Sequence, residues 1–134
     1  MNSISWIIGH LTNQEQRYWV IWPQGKTLVP GLHELVGTGK PASTPPLAEM
    51  WAAWETITQA ADTYLDTLPV ERLQEHLIHR DKLVPEAIGT LLYRNIYHYW
   101  FHTGEAHAIR QVLGHPDLPQ FAGDLSLAPY QPES

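Results

Sequence analysis

Two histidines four residues apart, His98 and His102, are the residues whose types and spacing most clearly point to chemistry. On a helix, residues i and i+4 lie one above the other on one face, where two imidazoles can share one cation. At about 100° per residue the pair shares a stripe with Leu91, Asn95 and Ile109, so we expect it to face the interior. A buried polar group without a partner costs about 1–3 kcal/mol. The two imidazoles therefore need partners inside the fold.

Few other groups in the sequence are suited to a metal site. The chain contains no cysteine, so a transition-metal ion can be bound only through imidazole and carboxylate groups. His10, with Gln14 one turn further along the first predicted helix, is the best candidate for a third ligand. Three imidazoles with an open coordination position describe a site that can bind water or a substrate. The alternative is that each histidine is buried separately and only hydrogen-bonds a neighbour.

Two further features of the sequence bear on such a site. Glu105 follows His102 by about one turn, at the edge of the same stripe, and three roles are open to it: a fourth ligand, a general base, or the carboxylate that orients a ligating imidazole. His76 and His79 have a spacing that can also bind metal on a helix. They lie in a strongly charged stretch, however, which favours exposed histidines.

Three stretches with helical periodicity must position these residues. The first covers residues 4–22, after Ser3 as the N-cap. The second begins with Thr44 as the N-cap and a proline in the first turn, carries a long apolar stripe and ends before Pro69. The third opens near Pro85 or Glu86 and runs to Gly114. Together they predict an all-α helical bundle with antiparallel neighbours.

The connections between the predicted helices are rich in proline and glycine. The first, Pro23 to Pro46, contains five prolines and four glycines, a length and composition typical of a lid or binding loop, with room for a short helix around Gly31–Val36. Residues 70–84 are either a short helix or an extended excursion. We expect residues 1–114 to form the bundle and residues 115–134 to be an irregular, proline-rich C-terminal tail packed on it.

Composition narrows the class of partner. The 134 residues suit one domain, and eight Lys and Arg against fourteen Asp and Glu give a net charge of −6. An acidic chain is a poor binder of phosphate backbones, so no nucleic-acid partner is expected. The sequence has no apolar run long enough to cross a membrane and no recognisable signal peptide. No membrane partner is therefore expected, and a cytoplasmic location is the default.

The sequence resembles a known family in two places. Trp6-x-x-x-His10-Leu11 stands on the first helix, and His98-x-x-x-His102-x-Gly104 stands on the last. Together they are similar to the DinB-like (damage-inducible, YfiT-like) metalloenzymes, and the similarity spreads over about Ser3 to Gly114. The resemblance implies a four-helix bundle in which His10, His98 and His102 hold a divalent metal, with zinc or nickel as the expected ions.

The sequence departs from the family in two respects. The usual first long helix before the Trp-x-x-x-His-Leu helix is lacking, so either another segment or subunit completes the bundle, or the chain is a shortened member of the family. An uncovered bundle exposes apolar surface at Trp51, Trp54 or the stripe of Ile4, Ile7 and Leu11, so we expect a homodimer. The second departure is Glu105, which stands where Gln is frequent in the family.

The resemblance also implies a function. It predicts a thiol-dependent S-transferase or hydrolase-like enzyme that acts on a small-molecule substrate. Because the chain has no cysteine, a low-molecular-weight thiol would be a cosubstrate, and Glu105 is the candidate catalytic residue. The open coordination position is expected to face a mobile Pro23–Pro46 loop. Two alternatives are a non-catalytic metal- or ligand-binding protein of a stress response, and a structural helical domain whose polar stripe forms a dimer seam.

Overall fold

The chain folds into a mostly helical structure with one small β-hairpin. The computed structural model describes residues 2–120, 123–124, 126 and 129–130. Its elements in chain order are α1 (Ile4–Glu15), a π-helical segment (Gln16–Ile21), α2 (Trp22–Gln24), α3 (Leu32–Val36), α4 (Leu47–Leu65), a 3₁₀ turn (Val70–Gln74), β1 (His76–His79), β2 (Lys82–Ala87) and α5 (Ile88–Val112).

The three long helices predicted from the periodicity are present, with shifted ends. Ser3 caps α1, its hydroxyl accepting the backbone N–H of Trp6 at 3.1 Å. The second helix begins one residue after Pro46, so both prolines precede it and neither lies in its first turn. The third ends as predicted, because Gly114 adopts φ +70°, a left-handed conformation in which glycine is unstrained. Among the described residues there is no fourth long helix; the short α3 lies in the predicted position.

The all-α prediction is wrong for residues 76–87, which form an antiparallel hairpin in which Ile78 pairs with Leu83. A short helix and an extended excursion were both open for this stretch, and the structure contains one turn of 3₁₀ helix followed by the hairpin. Leu77 and Val84 are the buried residues of the two strands, and both pack into the main core cluster. The third helix consequently starts at Ile88, since Pro85 and Glu86 belong to β2.

The prediction of antiparallel neighbours is wrong for α1 and α4. Gly9 on α1 approaches Met50 near the start of α4 so closely that a Cβ would come within 2.5 Å of Met50 Sδ. At the other end, the side-chain amide of Gln24 donates to the carbonyl of Ala60, near the end of α4. The two helices therefore run parallel. Because the two helices are parallel, the chain must travel back to the starting end of α1 before α4 can begin. The distance is the length of a helix of 19 residues, about 28 Å. This requires a connection as long as the one from Pro23 to Pro46.

That connection is attached to α1 and its π-helical extension rather than hanging free as a mobile loop. The buried side chain of Gln16 accepts the backbone N–H groups of Leu28 and Val29 at 2.9 and 2.8 Å, and it donates to the Val29 carbonyl at 3.0 Å. Further along, the carbonyl of Val36 lies 2.8 Å from His10 Nδ1. Buried polar groups of the connection thus find partners on the helices, and the segment forms one wall of the structure.

The register between α1 and the antiparallel α5 is set by a polar contact. Asn95 Nδ2 on α5 donates to the carboxylate of Glu15 on α1 at 3.0 Å, one turn before His98. Glu15 is buried, and burial raises the pKa of its carboxyl group, although hydrogen bonds from Asn95 and Tyr99 partly oppose the rise. Keeping Glu15 ionised inside the fold therefore lowers the stability of the folded protein. Its hydrogen bond with Asn95 nevertheless fixes the register between α1 and α5.

We expect the free energy of unfolding contributed by Glu15 to fall as the pH rises through its raised pKa. The protonated form is favoured in the folded protein, so this carboxyl group stabilises the fold on the acid side and loses that stabilisation as it ionises. Urea unfolding of wild type and Glu15→Gln between pH 4 and 7 checks this. The variant is expected to lack this component of the pH dependence. An unchanged profile would contradict the assignment.

No helix among the described residues is both long enough and apolar enough to cross a membrane.

The apolar surface expected to face water is covered only in part: Ile7 and Leu11 pack against Ile109 of α5, whereas Trp51 on α4 remains 45% exposed. The C-terminal tail lies partly outside the described residues. Those that are described after α5 form turns and irregular segments as far as Gln120.

The homodimer stays a prediction. It rests on exposed apolar side chains such as Trp51, since large exposed apolar patches usually have a partner. Light scattering at micromolar protein concentration is expected to give twice the mass of the chain. A monodisperse monomer would contradict it.

Candidate metal centre

The three histidines singled out in the sequence come together between α1 and α5. One nitrogen from each of His10, His98 and His102 lies within 4.8 Å of the other two. His10 and His102 are buried, and His98 is half-buried. Because α5 runs antiparallel to α1, His10 in the middle of α1 faces the two histidines of α5, stacked one turn apart. The described residues contain no second group of this kind.

The orientation of His10 is fixed from both sides. Its Nδ1 lies 2.8 Å from the carbonyl oxygen of Val36, which can only accept, so Nδ1 carries the hydrogen and donates. In the neutral ring the lone pair is then on Nε2. The indole of Trp6, one turn earlier on α1, stacks on the His10 ring with centroids 4.5 Å apart and planes 10° apart. Tautomer and ring plane are both set before any ligand binds.

His102 is oriented in a similar way by a carboxylate. Its Nδ1 lies 2.8 Å from Glu105 Oε2 and donates to it. The other oxygen of Glu105 accepts from Asn2 Nδ2 at 3.0 Å. Of the three roles open for Glu105 in the sequence, these contacts fit the carboxylate that orients an imidazole, because both oxygens are already engaged. Carboxylate–histidine pairs of this kind fix the tautomer and raise the basicity of the remaining nitrogen.

His98 differs from the other two because one of its nitrogens lacks a protein partner. Its Nε2 lies 3.1 Å from His102 Nε2, while its Nδ1 is buried without a hydrogen-bond partner among the described residues. Burial, together with the neighbouring imidazoles of His102 and His10, lowers the pKa of His98 to about 4. His98 is therefore neutral near pH 7. Neutral imidazole is the form that binds metal.

The pKa of His10 is shifted in the same direction as that of His98. Burial lowers the pKa of His10, and the hydrogen bond to the Val36 carbonyl opposes this only in part. His10 and His98 both have a lowered pKa, so they bind a proton weakly. Neutral imidazoles such as these are the form that can bind a metal ion. Glu105, one hydrogen bond away from the cluster, supplies a nearby negative charge.

The donor set fits a transition-metal ion. Nitrogens bound to a tetrahedral metal at about 2.1 Å lie roughly 3.4 Å apart, close to the 3.1 Å between the two Nε2 atoms of His98 and His102. Three imidazoles without cysteine suit zinc, nickel, copper or iron better than calcium or magnesium, which prefer oxygen ligands. The His₃ group can therefore hold a metal ion and leave a coordination position open.

The surroundings of the cluster are a connection and a cavity. The Pro23–Pro46 connection packs against His10, through the Val36 carbonyl, and the direction of the open coordination position stays a prediction. A cavity that reaches His98 lies where α1 and α5 meet. It measures about 460 Å³, and its walls are Gln14, Thr90, Tyr93, Arg94, Tyr97 and His98. This cavity offers an approach to the site beside His98.

The other histidines with metal-binding spacing take no part in the cluster. His76 Nδ1 lies 2.8 Å from the carbonyl of Val84 within the hairpin, and the ring of His79 lies near Trp22. They alternate along a strand rather than sharing a helix face. Sequence reasoning missed Asn2, Val36 and the stacking of Trp6 on His10. The Val36 contact is made by a backbone carbonyl, which no sequence pattern marks.

Comparisons with known proteins agree with the geometry. A model of the DinB superfamily matches residues 1–106, which include all three histidines and Glu105. The comparison with curated proteins gives no match, and neither does the comparison with solved structures. The matched region covers most of the chain, and it holds both the Trp6–His10 and the His98–His102 elements. The chain belongs to the DinB superfamily.

Proposed function

We propose that this protein is a metal-dependent enzyme in which His10, His98 and His102 hold one divalent ion, zinc or nickel, and that it transfers a low-molecular-weight thiol to a small electrophilic substrate. The observation that carries the proposal is the convergence of three imidazoles, two of which have their Nδ1 hydrogens engaged by Val36 and Glu105. Such partners are typical of metal-ligating histidines.

A bound divalent ion would supply a Lewis acid that lowers the pKa of a thiol and favours its thiolate form. Because the chain contains no cysteine, the thiol must come from a cosubstrate. In the transfer, the sulfur forms a new bond to the electrophilic carbon, the leaving group departs with its electron pair, and the thiol proton goes to water. Thiolate is the stronger nucleophile.

The side chains around the cluster have separate tasks in this scheme. Glu105 holds His102 in one tautomer through the hydrogen bond from His102 Nδ1, and Asn2 holds Glu105 in place. Trp6 covers the face of His10 and keeps water from it. Gln14 beside His98 offers an amide to whatever enters the cavity. The substrates would reach the site through that cavity.

Metal binding is the first test. Wild-type protein made without a His-tag is expected to retain one zinc or nickel ion per chain after incubation and desalting, measured by elemental analysis. The His98→Ala, His102→Ala double variant should lose it, because one imidazole alone binds weakly. His107→Ala, on the same helix but outside the cluster, is the matched control. Wild type without stoichiometric metal, after each candidate ion has been offered, would overturn the proposal.

Glu105→Gln distinguishes an orienting carboxylate from a ligand. The amide oxygen can accept from only one of Asn2 and His102, so metal affinity is expected to fall about 10- to 100-fold, while saturating metal still gives one ion per chain and turnover is reduced. Metal content and titration against a competing chelator measure the two effects. Complete loss of metal at saturation would show instead that Glu105 is a ligand.

Turnover is measured with bacillithiol, mycothiol or glutathione and an alkylating electrophile, following thiol loss with and without metal. We expect metal-dependent acceleration with at least one thiol, and a change in the visible spectrum of the cobalt-substituted protein when that thiol binds. If no thiol gives either signal while metal binding is retained, the transferase assignment fails. The non-catalytic metal- or ligand-binding protein then takes its place.

A further inference from the structure

A second cavity lies away from the histidines, in the groove bounded by α1, α4 and α5. Its volume is about 390 Å³, within the range of small-molecule sites. The floor and walls are mostly apolar or aromatic and include Ile4, Ile8, Leu11, Trp51 and Trp54. Trp51 and Trp54 meet edge to face, with centroids 5.6 Å apart, and form one side of it.

The polar groups of this groove are unevenly placed. Trp54 Nε1 donates to the hydroxyl of Tyr99 at 2.8 Å, so the polar atoms at that end are already paired. Toward the end of α5, His107 and Arg110 line the other end. No carboxylate lines the cavity, and Arg110 has no ion pair or side-chain hydrogen bond among the described residues. The groove is therefore mostly apolar along its length, with Thr103 on one wall and, at one end, a cation that is unpaired within the described part of the chain.

The groove is also separate from the metal centre. Ile7, Leu11 and Ile109 form a buried cluster between α1 and α5, and they stand between the groove and the side on which the histidines meet. None of His10, His98 and His102 lines the groove. Occupancy of one site therefore does not require the other.

We propose that this groove binds a small apolar monocarboxylate, with its hydrocarbon part between Trp51 and Ile8 and its carboxylate on Arg110. Burial of the hydrocarbon supplies affinity in proportion to the apolar area removed from water. A planar guanidinium can hold a carboxylate by two parallel hydrogen bonds. This complementarity of charge and apolarity selects an anionic amphiphile over a neutral one. The proposal does not rest on the thiol-transferase function.

The test uses octanoate as the probe and 1-octanol as its uncharged counterpart of the same chain length, both by calorimetric titration of the full chain with and without zinc. We expect octanoate to bind at one site and at least about tenfold more tightly than octanol, the equivalent of roughly 1.4 kcal/mol. Zinc should leave the octanoate affinity unchanged, because the two sites are separated by the Ile109 cluster.

Two variants locate the site. Arg110→Gln is expected to weaken octanoate at least tenfold and to leave octanol unchanged, whereas Arg72→Gln, which removes a cation paired with Glu75 outside both cavities, should change neither. Ile8→Trp, which fills the groove, should weaken both ligands. Circular dichroism checks that each variant is folded.

Equal affinity for octanoate and octanol, no effect of Arg110→Gln, or octanoate binding abolished by zinc would overturn the proposal. So would absence of octanoate binding, as expected if a second copy or the chain's own tail fills the groove.

Discussion

The contact between α1 and α5 is the constraint on which the rest of the structure depends. It buries three imidazoles between two helices, and such groups are tolerated only where each finds a partner. His10 obtains one from the Val36 carbonyl, and His102 obtains one from Glu105. His98 has a nitrogen left without one among the described residues. A metal ion shared by all three rings, as the proposed function requires, would offset the cost of placing them there.

The fold supplies those partners through its topology. Since α1 and α4 run parallel, the chain must return along the helices between them, and this return carries Val36 past His10. Gln16 holds the early part of the same segment by three hydrogen bonds. A proline-rich connection that resembles a lid in the sequence is therefore part of the wall of the site. A cavity beside His98 offers an approach to the histidines.

Much of this arrangement could be predicted from the sequence, and the errors have physical causes. His98, His102 and Asn95 share one face of a 25-residue helix, so periodicity predicts that they face the interior. His10 is the best third candidate on the first helix, and the resemblance supports it. The sequence pattern does not predict the hairpin, because Leu77 and Val84 are the only buried residues of two short strands, too few for a clear alternation. The parallel packing of α1 on α4 depends on the close approach at Gly9, a tertiary contact without a local pattern.

The same helix pair separates two chemistries. The side of α5 that carries His98, His102 and Glu105 joins α1 through hydrogen bonds and clustered imidazoles, whereas the side that carries Tyr99 and Arg110 lines an apolar groove. Ile109 packs between them with Ile7 and Leu11. Because a close-packed core leaves no room for water, this cluster keeps the histidines and the groove apart. One helix of 25 residues thus presents a histidine face and an apolar face that ends in a cation.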